Sequence, residues 1–408
     1  MSELDQIRAN INSIDEQMAQ LFQKRMELSA QVAAYKKSRG LSIRDAARER
    51  ELIERNSRNL ADPDIGPYYV QFLRSVIDLS CAYQSRLLEG MKVAYSGVEG
   101  AYAYIAARRM FPKATLVAYP DFVAAYRAVE QGEADSVVLP LENSYAGEVG
   151  TVMDLLFSGE LFINQVMDLE VKHDLLGVEG ASAATVKTVL SHPQALHQCD
   201  DYIRRRGYQS ETCSNTALAA SRVRQANDPA LGAIASEEAA AIFGLQVLER
   251  DVNTAKNNTT RFAALSLNQS QPQTRHKRED ENFVLVFTVQ NDAGSLAQTL
   301  NIIGAHGFNM RTLRSRPMKE LLWQYYFYVE AAGDIYSPNG QACVEEMKSC
   351  CDKIKIVGAY NALRAQVAPE PTDETAEAAG MAAASEAAGA VNADAAKEQE
   401  TKRQEARL

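Results

Sequence analysis

Residues 4–38 read LDQIRANINSIDEQMAQLFQKRMELSAQVAAYKKS. Within them Ile7, Ile11, Ile14, Met18, Leu21, Arg25, Leu28, Val32 and Tyr35 recur in alternating steps of four and three, the spacing of one stripe on a helix packed along its whole length. At a rise of about 1.5 Å per residue the helix spans roughly 50 Å, more than a ninety-residue monomer covers, so a second copy of the chain is expected against the stripe. Gly40 ends the helix, a second spans about 44–60, Pro63 and Gly66-Pro67 break the chain, and a third spans about 68–89. Residues 1–90 are therefore expected to form an all-α domain. One stripe position is not apolar: a guanidinium buried without a partner is costly, so something anionic is expected to face Arg25.

Beyond Met91 the texture changes. Residues 92–95 read as a strand, 97–100 as a tight glycine loop and 102–110 as a helix, and strands such as 115–119 and 136–141 then alternate with helices to about 267. That alternation describes an α/β domain over residues 91–267 with a parallel sheet. Residues 268–282, NQSQPQTRHKREDEN, are polar and read as a linker. From 283 the order is strand, helix, strand, strand, helix, strand over 283–289, 295–306, 310–316, 323–330, 341–351 and 355–359, an α+β ferredoxin-like unit spanning 283–361. Residues 366–408 hold fourteen alanines and no aromatic residue, a low-complexity tail expected to be disordered because it has too little apolar surface to offset chain entropy.

At 408 residues the chain is multidomain, and 46% hydrophobic with 24% charged residues is a globular balance that excludes a fibrous or wholly disordered protein. The 43 basic and 53 acidic side chains leave a net charge of −10, half of it in the tail, which disfavours nucleic acid as a partner. Residues 1–90 balance thirteen basic against thirteen acidic groups, so local anion sites remain open. With no run of eighteen apolar residues and no basic-then-apolar leader, a cytoplasmic protein without membrane contact is expected. The six cysteines show no CxxC spacing and the five histidines are scattered, so reduced thiols, no metal and no cofactor are expected.

In the first domain Lys36 lies within about 20° of the face of Arg25 at about 100° per residue. Asp45, Arg48 and Glu49 cluster on the second helix, and Ser80 and Gln84 stand one turn apart on the third. Arg8 is turned about 100° from Arg25 and reaches such a pocket more easily from a second subunit. On charge spacing alone a coiled-coil dimerisation arm remains open. The series Arg8, Arg25, Lys36, Arg44-Asp45-x-x-Arg48-Glu49-Arg50, Ser80 and Gln84 resembles the all-helical chorismate mutases over nearly all of residues 1–90. The resemblance implies an intertwined helical dimer that binds a dicarboxylate. Arg8 from a second subunit, Arg25 and Arg48 would hold carboxylates through forked bonds. Lys36 and Gln84 would be the catalytic donors to the ether oxygen, and Asp45, Glu49 and Ser80 would meet the ring hydroxyl and orient neighbours.

Five short runs stand in order in the second domain: Gly97-Val-Glu-Gly100-Ala-Tyr102, Pro140-Leu-Glu142-Asn143-Ser144-x-Ala146-Gly147, Ser191-His192-Pro193-Gln194, Asn215-Thr216-Ala217 and Asn258-Thr259-Thr260-Arg261-Phe262. Together they resemble the prephenate dehydratases across about 91–267. That resemblance implies two α/β lobes, as in a periplasmic binding protein, with the substrate in the cleft. Thr260 would be catalytic, beside the departing hydroxyl, and Asn143, Ser144, Thr216 and Arg261 would bind the rest of the substrate. Ala101 and Ala103 depart from a family pattern in which hydroxyl residues are common. His192 reads as structural, capping its segment. A two-lobed binding protein without chemistry is the reading the fold leaves open.

Asn291-Asp292-Ala293-Gly294-Ser295-Leu296 and Arg314-Ser315-Arg316-Pro317 resemble the ACT amino-acid-binding domain, with Arg314 where that motif has glutamate. The resemblance implies a regulatory phenylalanine site on Asn291, Gly294, Leu296, Ser315 and Arg316 of paired subunits, where backbone amides at a helix start suit a carboxylate. A plain dimerisation module is the alternative. The whole chain resembles the P-protein family, chorismate mutase fused to prephenate dehydratase. As an isomerase and a lyase of phenylalanine biosynthesis it would turn chorismate into prephenate and prephenate into phenylpyruvate, with feedback inhibition by phenylalanine, as a homodimer or higher homo-oligomer. Two alternatives stand: a mutase fused to an arogenate-preferring dehydratase, and a phenylalanine-sensing protein with one degenerate catalytic domain.

Overall fold

The apolar stripe belongs to a single helix, α1 (Glu3–Arg39), with Glu3 and Asp5 in its first turn and Lys36, Lys37 and Arg39 in its last, a charge order that complements the helix dipole. Asp45 caps α2 (Ala46–Ser57), its carboxylate accepting from the N–H groups of Ala47 at 3.2 Å and Arg48 at 3.0 Å. A 3-10 turn (Pro63–Ile65) leads into α3 (Gly66–Glu89), which has a proline in its first turn, where no N–H is needed. α3 packs on α1 and α2. This packing buries Ser29 and Ala33 of α1, small residues that let the helices approach, and leaves Ile7, Ile11, Ile14, Met18, Leu21, Leu28, Val32 and Tyr35 exposed in the single chain. The computed structural model describes residues 2–39, 41–58, 60, 62–255, 257–269, 281–318 and 324–363. The stop at Gly40, most of the 268–282 linker, the start of the 323–330 strand and the 366–408 tail lie outside the described residues.

A first lobe follows, built of β1 (Lys92–Ser96), α4 (Tyr102–Met110), β2 (Thr115–Tyr119), α5 (Phe122–Glu130), β3 (Ser136–Asn143), β4 (Gly147–Glu148), α6 (Gly150–Ser158) and β5 (Phe162–Glu170). The chain crosses at 171–173 into a second lobe of β6 (Asp174–Gly177), β7 (Thr188–Ser191), α7 (Pro193–Gln198), α8 (Asp200–Arg206), β8 (Gln209–Thr212), α9 (Thr216–Ala226), β9 (Leu231–Ala235), α10 (Glu237–Phe243) and β10 (Gln246–Glu249), with strand order β10-β6-β9-β7-β8. It returns through 250–258 as β11 (Thr259–Ser266). The expected parallel pairing holds for β1 with β2 and β3 and for β7 with β8 and β9. It fails for β11, which lies antiparallel between β3 and β5, and for β6 and β10. Connectivity is the reason: a strand returning from the second lobe enters the first sheet at the cleft end, against the strands that finish there.

The C-terminal unit comprises β12 (Glu281–Val289), α11 (Ser295–Ala305), β13 (Asn309–Pro317), β14 (Tyr325–Ala332), α12 (Pro338–Met347) and β15 (Cys351–Leu363). Its antiparallel order β13-β14-β12-β15 is the ferredoxin-like arrangement, over a core that includes Phe283, Phe287, Ile303, Val329 and Met347. β15 also joins β5, so the two sheets run on as one: β13-β14-β12-β15-β5-β11-β3-β1-β2. Gly358 makes the join sterically possible, because a Cβ there would overlap the carbonyl oxygen of Ile163.

Candidate functional site

Two rows of residues cross the cleft end of the first lobe's sheet. Gly147, Asn143, Thr260 and Leu169 are successive cross-strand partners on β4, β3, β11 and β5, and one residue along, Glu148, Glu142, Arg261 and Asp168 form a charged row. Side chains alternate faces along a strand, so Glu142, Arg261 and Asp168 point away from the face of Asn143 and Thr260, while Glu148 on the two-residue β4 also borders the cleft. Asn143 and Thr260 line a cleft of about 430 Å³, together with Ser96 and Tyr102 of the same lobe and His192, Gln194, Gln198 and Thr216 of the other.

The hydrogen bonds around Asn143 fix a direction. Its Oδ1 accepts from the N–H groups of Tyr145 at 3.0 Å and Ala146 at 2.9 Å, so its Nδ2 must face the other way, where it donates to Asn258 Oδ1 at 2.8 Å and Thr260 Oγ1 at 2.9 Å. Asn258 Nδ2 then donates to Gln198 Oε1 at 3.0 Å, and the same oxygen accepts from His173 Nε2 at 2.9 Å. His173 therefore carries its proton on Nε2 and presents Nδ1 to the Tyr102 hydroxyl at 3.1 Å. Burial pushes the His173 pKa down to about 4, so the ring is neutral at pH 7. At the other end of the chain Thr260 Oγ1 is already an acceptor, which leaves its own proton to be donated into the cleft.

The same residues sit on the hinge. Val171 N–H donates to Asn258 O at 2.8 Å, His173 N–H to Asn253 Oδ1 at 2.6 Å and Val252 N–H to His173 O at 2.8 Å, tying the two crossing segments together. Thr216 opens α9 behind an Asn215 cap that accepts from Leu218 N–H at 2.7 Å, so the positive end of an eleven-residue helix faces the cleft. His192 caps α7, accepting from Gln194 N–H at 3.3 Å.

Two expected ligands are placed elsewhere. Ser144 Oγ donates to Asn257 O at 2.9 Å and accepts from Thr259 N–H at 2.9 Å, which fastens the turn to β11. Arg261 belongs to the charged row and bonds Asp168 at 2.9 Å and Glu330 at 3.4 Å, and the Asp168 bond holds its pKa above the usual range. Conversely, Asn258, Gln198 and His173 were missed as site residues. Asn258 opens a quoted run and Gln198 follows another closely, but nothing local marks the hinge residue His173.

In the helical domain Arg25 Nη1 donates to Val76 O at 3.2 Å and to Ser80 Oγ. Among the described residues its bonded partners are neutral, not the anion its sequence position suggested, and burial lowers its pKa. Lys36 Nζ meets Ile43 O, and Ser80 and Gln84 are buried. Gln84 Oε1 has no hydrogen-bond partner among the described residues. Cys81 lies in the field of Arg44, Glu49 and Lys36, so these groups gather where the three helices meet.

Three mutase candidates are not brought to that point. Asp45 is spent as the α2 cap, and Arg48 is exposed and pairs with Glu51 at 2.7 Å. Arg8 is exposed about 25 Å along α1 from Arg25, out of reach within one chain. Glu49 is half-buried and pairs with Arg44 at 3.7 Å.

In the C-terminal unit Gly294, at a φ of 92°, starts α11 with Asn291 before it and Leu296 after it, and Ser315 is exposed on β13. Arg316 is not available to a ligand there, being bonded to Glu148 at 2.5 Å and Asp154 at 3.1 Å.

The family described as Prephenate dehydratase matches residues 93–270, and that described as Chorismate mutase type II matches residues 7–85. The bifunctional chorismate mutase/prephenate dehydratase of Escherichia coli (strain K12) is 29% identical over 372 residues, 87% of this chain and 95% of its own length. Arogenate dehydratase/prephenate dehydratase 1, chloroplastic, of Arabidopsis thaliana is 32% identical over 284 residues, 66% of this chain and 72% of its own. The crystal structure of prephenate dehydratase in complex with L-Phe from Arthrobacter aurescens has the same fold, with a TM-score of 0.62 at 23% identity over 72% of this chain and 99% of that one. GqqA, described as a novel type of quorum quenching acylases, has a TM-score of 0.62 at 30% identity over 67% of this chain and 98% of that one, so the scaffold alone does not decide the reaction.

Proposed function

The chain belongs to the bifunctional chorismate mutase/prephenate dehydratase family, and from that membership we propose how its two sites divide the work. The helical domain rearranges chorismate to prephenate and the two-lobed domain converts prephenate to phenylpyruvate, consecutive steps of phenylalanine biosynthesis.

The observation that carries the second step is the donor order ending at Thr260. As the bond from the prephenate ring to its carboxylate breaks, the electron pair enters the ring and expels the ring hydroxyl. One proton taken up overall balances the reaction, giving phenylpyruvate, carbon dioxide and water. Thr260 is too weak an acid to work by its intrinsic acidity, but with Asn143 donating to its oxygen its proton points at the departing group. The amino-terminal end of α9 at Thr216 suits a substrate carboxylate. The pericyclic first step needs no nucleophile. It needs a compressed pose and donors preset for growing charge, roles that fall to Lys36 and Gln84, with Arg25 on a carboxylate.

The intertwined dimer is part of this proposal. A second copy would cover the exposed stripe of α1 and bring an Arg8 into reach of the first copy's pocket. In the C-terminal unit, an ACT-like module, Asn291, Gly294, Leu296 and Ser315 would receive phenylalanine as a feedback effector. The helix start at Gly294 supports that reading, as does the L-Phe complex of the Arthrobacter dehydratase. A cytoplasmic location belongs to the same proposal. The test is Thr260→Val: the variant should consume chorismate at the parental rate and accumulate prephenate, and phenylpyruvate formed at the parental rate would overturn the assignment.

A further inference from the structure

The charged row next to the catalytic row is gripped by the C-terminal unit. Arg314 on β13 bonds Glu142 at 2.5 Å and Glu148 at 3.4 Å, and Arg316, on the same face, bonds Glu148 at 2.5 Å and Asp154 at 3.1 Å. Glu142 and Glu148 stand directly opposite each other in the β3–β4 ladder. Like charges so placed repel and would open the hairpin. Arg314, bonded to both carboxylates, converts that repulsion into a clamp. The turn between the two strands supplies the Tyr145 and Ala146 N–H groups that orient Asn143, and Asn143 orients Thr260. Between the clamp and Asn143 lies a single residue step along β3.

We propose that Arg314 is a positioning residue for the dehydratase site: through Glu142 and Glu148 it holds the β3–β4 hairpin so that Asn143 keeps donating to Thr260. The inference rests on the dehydratase reading of the cleft. A glutamate at this position, as in the motif it resembles, would set three carboxylates together instead of a cation between two.

The experiment measures kcat and KM for prephenate in the full chain, with chorismate mutase activity of the same chain as the internal control of folding. Arg314→Gln is expected to lower kcat about tenfold, the scale of coupling between neighbouring groups, with KM changed less than about twofold. Adding Glu148→Gln to Arg314→Gln removes the repulsion and should bring kcat back to within about threefold of the parent. Arg314→Lys, which keeps a cation, should also stay within about threefold. A parental kcat in Arg314→Gln, or a loss that Glu148→Gln does not relieve, would overturn the proposal.

If Arg314→Gln does not fold, as loss of its mutase rate would show, Gly150→Ala decides instead. Its Cβ would lie 2.7 Å from Arg316 Nη2 and 2.8 Å from Nη1, displacing that guanidinium from Glu148 without removing a charge. A several-fold lower kcat is expected, and an unchanged one counts against the clamp. A parent chain that does not turn over prephenate contradicts the dehydratase reading itself, a result separable from any effect of these substitutions.

Discussion

Replacing Asn143 with aspartate leaves the shape of the side chain and reverses its polarity where polarity matters. Asn143 Nδ2 gives one hydrogen bond to Thr260 at 2.9 Å and one to Asn258 at 2.8 Å, and the side chain is buried. In Asn143→Asp the nitrogen that gives both bonds becomes an acceptor oxygen. Thr260 then turns its proton to the carboxylate and away from the substrate, and Asn258 Oδ1 faces an oxygen. Loss of one donor to a developing charge costs about 3 kcal/mol. At about 1.4 kcal/mol per decade that makes roughly a hundredfold in kcat/KM, whereas the unmatched Asn258 carbonyl lowers stability by at least about 1 kcal/mol in free enzyme and transition state alike. The assay is phenylpyruvate formation from prephenate, with mutase activity reporting the integrity of the chain. Lowering the pH should restore part of the lost activity, since a protonated aspartic acid can donate again and burial raises its pKa. A variant within tenfold of the parent would refute the donor order, as would a large loss with no recovery in acid.

The mutase site makes a separate prediction: Arg25→Ala and Lys36→Ala should each lower chorismate turnover at least about a hundredfold while prephenate turnover stays parental, and retained mutase activity would remove these residues from the mechanism. His173 predicts a pH dependence of stability. Its folded pKa of about 4 lies below the ordinary 6.5, so as pH falls through that window the unfolded chain takes up a proton that the folded chain refuses. Stability should therefore drop between about pH 6.5 and 4, by up to about 3 kcal/mol, and be fully retained above the window. His173→Gln lacks the titrating ring and should show a flatter denaturation midpoint over the same range; an identical slope in parent and variant would contradict the assignment.

The α1 stripe was legible because a heptad spacing is a local signal, and so were the βαβ alternation and the βαββαβ order. Antiparallel β11 was not, because its direction depends on where the chain re-enters the first lobe after about ninety residues elsewhere. The join of β15 to β5 was equally hidden: Gly358 is one glycine among 22 in the sequence, and only the approach of Ile163 gives it meaning. Thr260 and Asn143 could be picked out by their motifs, whereas their relation as acceptor and donor is a matter of register between β3 and β11. Arg261 and Arg316 show the reverse. A motif singles them out for an anionic ligand, but strand alternation turns Arg261 from the cleft, and β13 faces Arg316 to Glu148 and Asp154. Asp45 takes a role that is local, since a carboxylate just before a helix caps it, and the motif alone does not display that role.

The most direct measurement is a time course of the purified full chain with chorismate as the sole substrate, following chorismate, prephenate, phenylpyruvate and carbon dioxide together. Two working sites predict one phenylpyruvate and one carbon dioxide per chorismate consumed, with prephenate rising and then falling. Prephenate accumulating in full without phenylpyruvate would contradict the role given to Thr260 and Asn143, and unchanged chorismate would contradict the role given to Arg25 and Lys36.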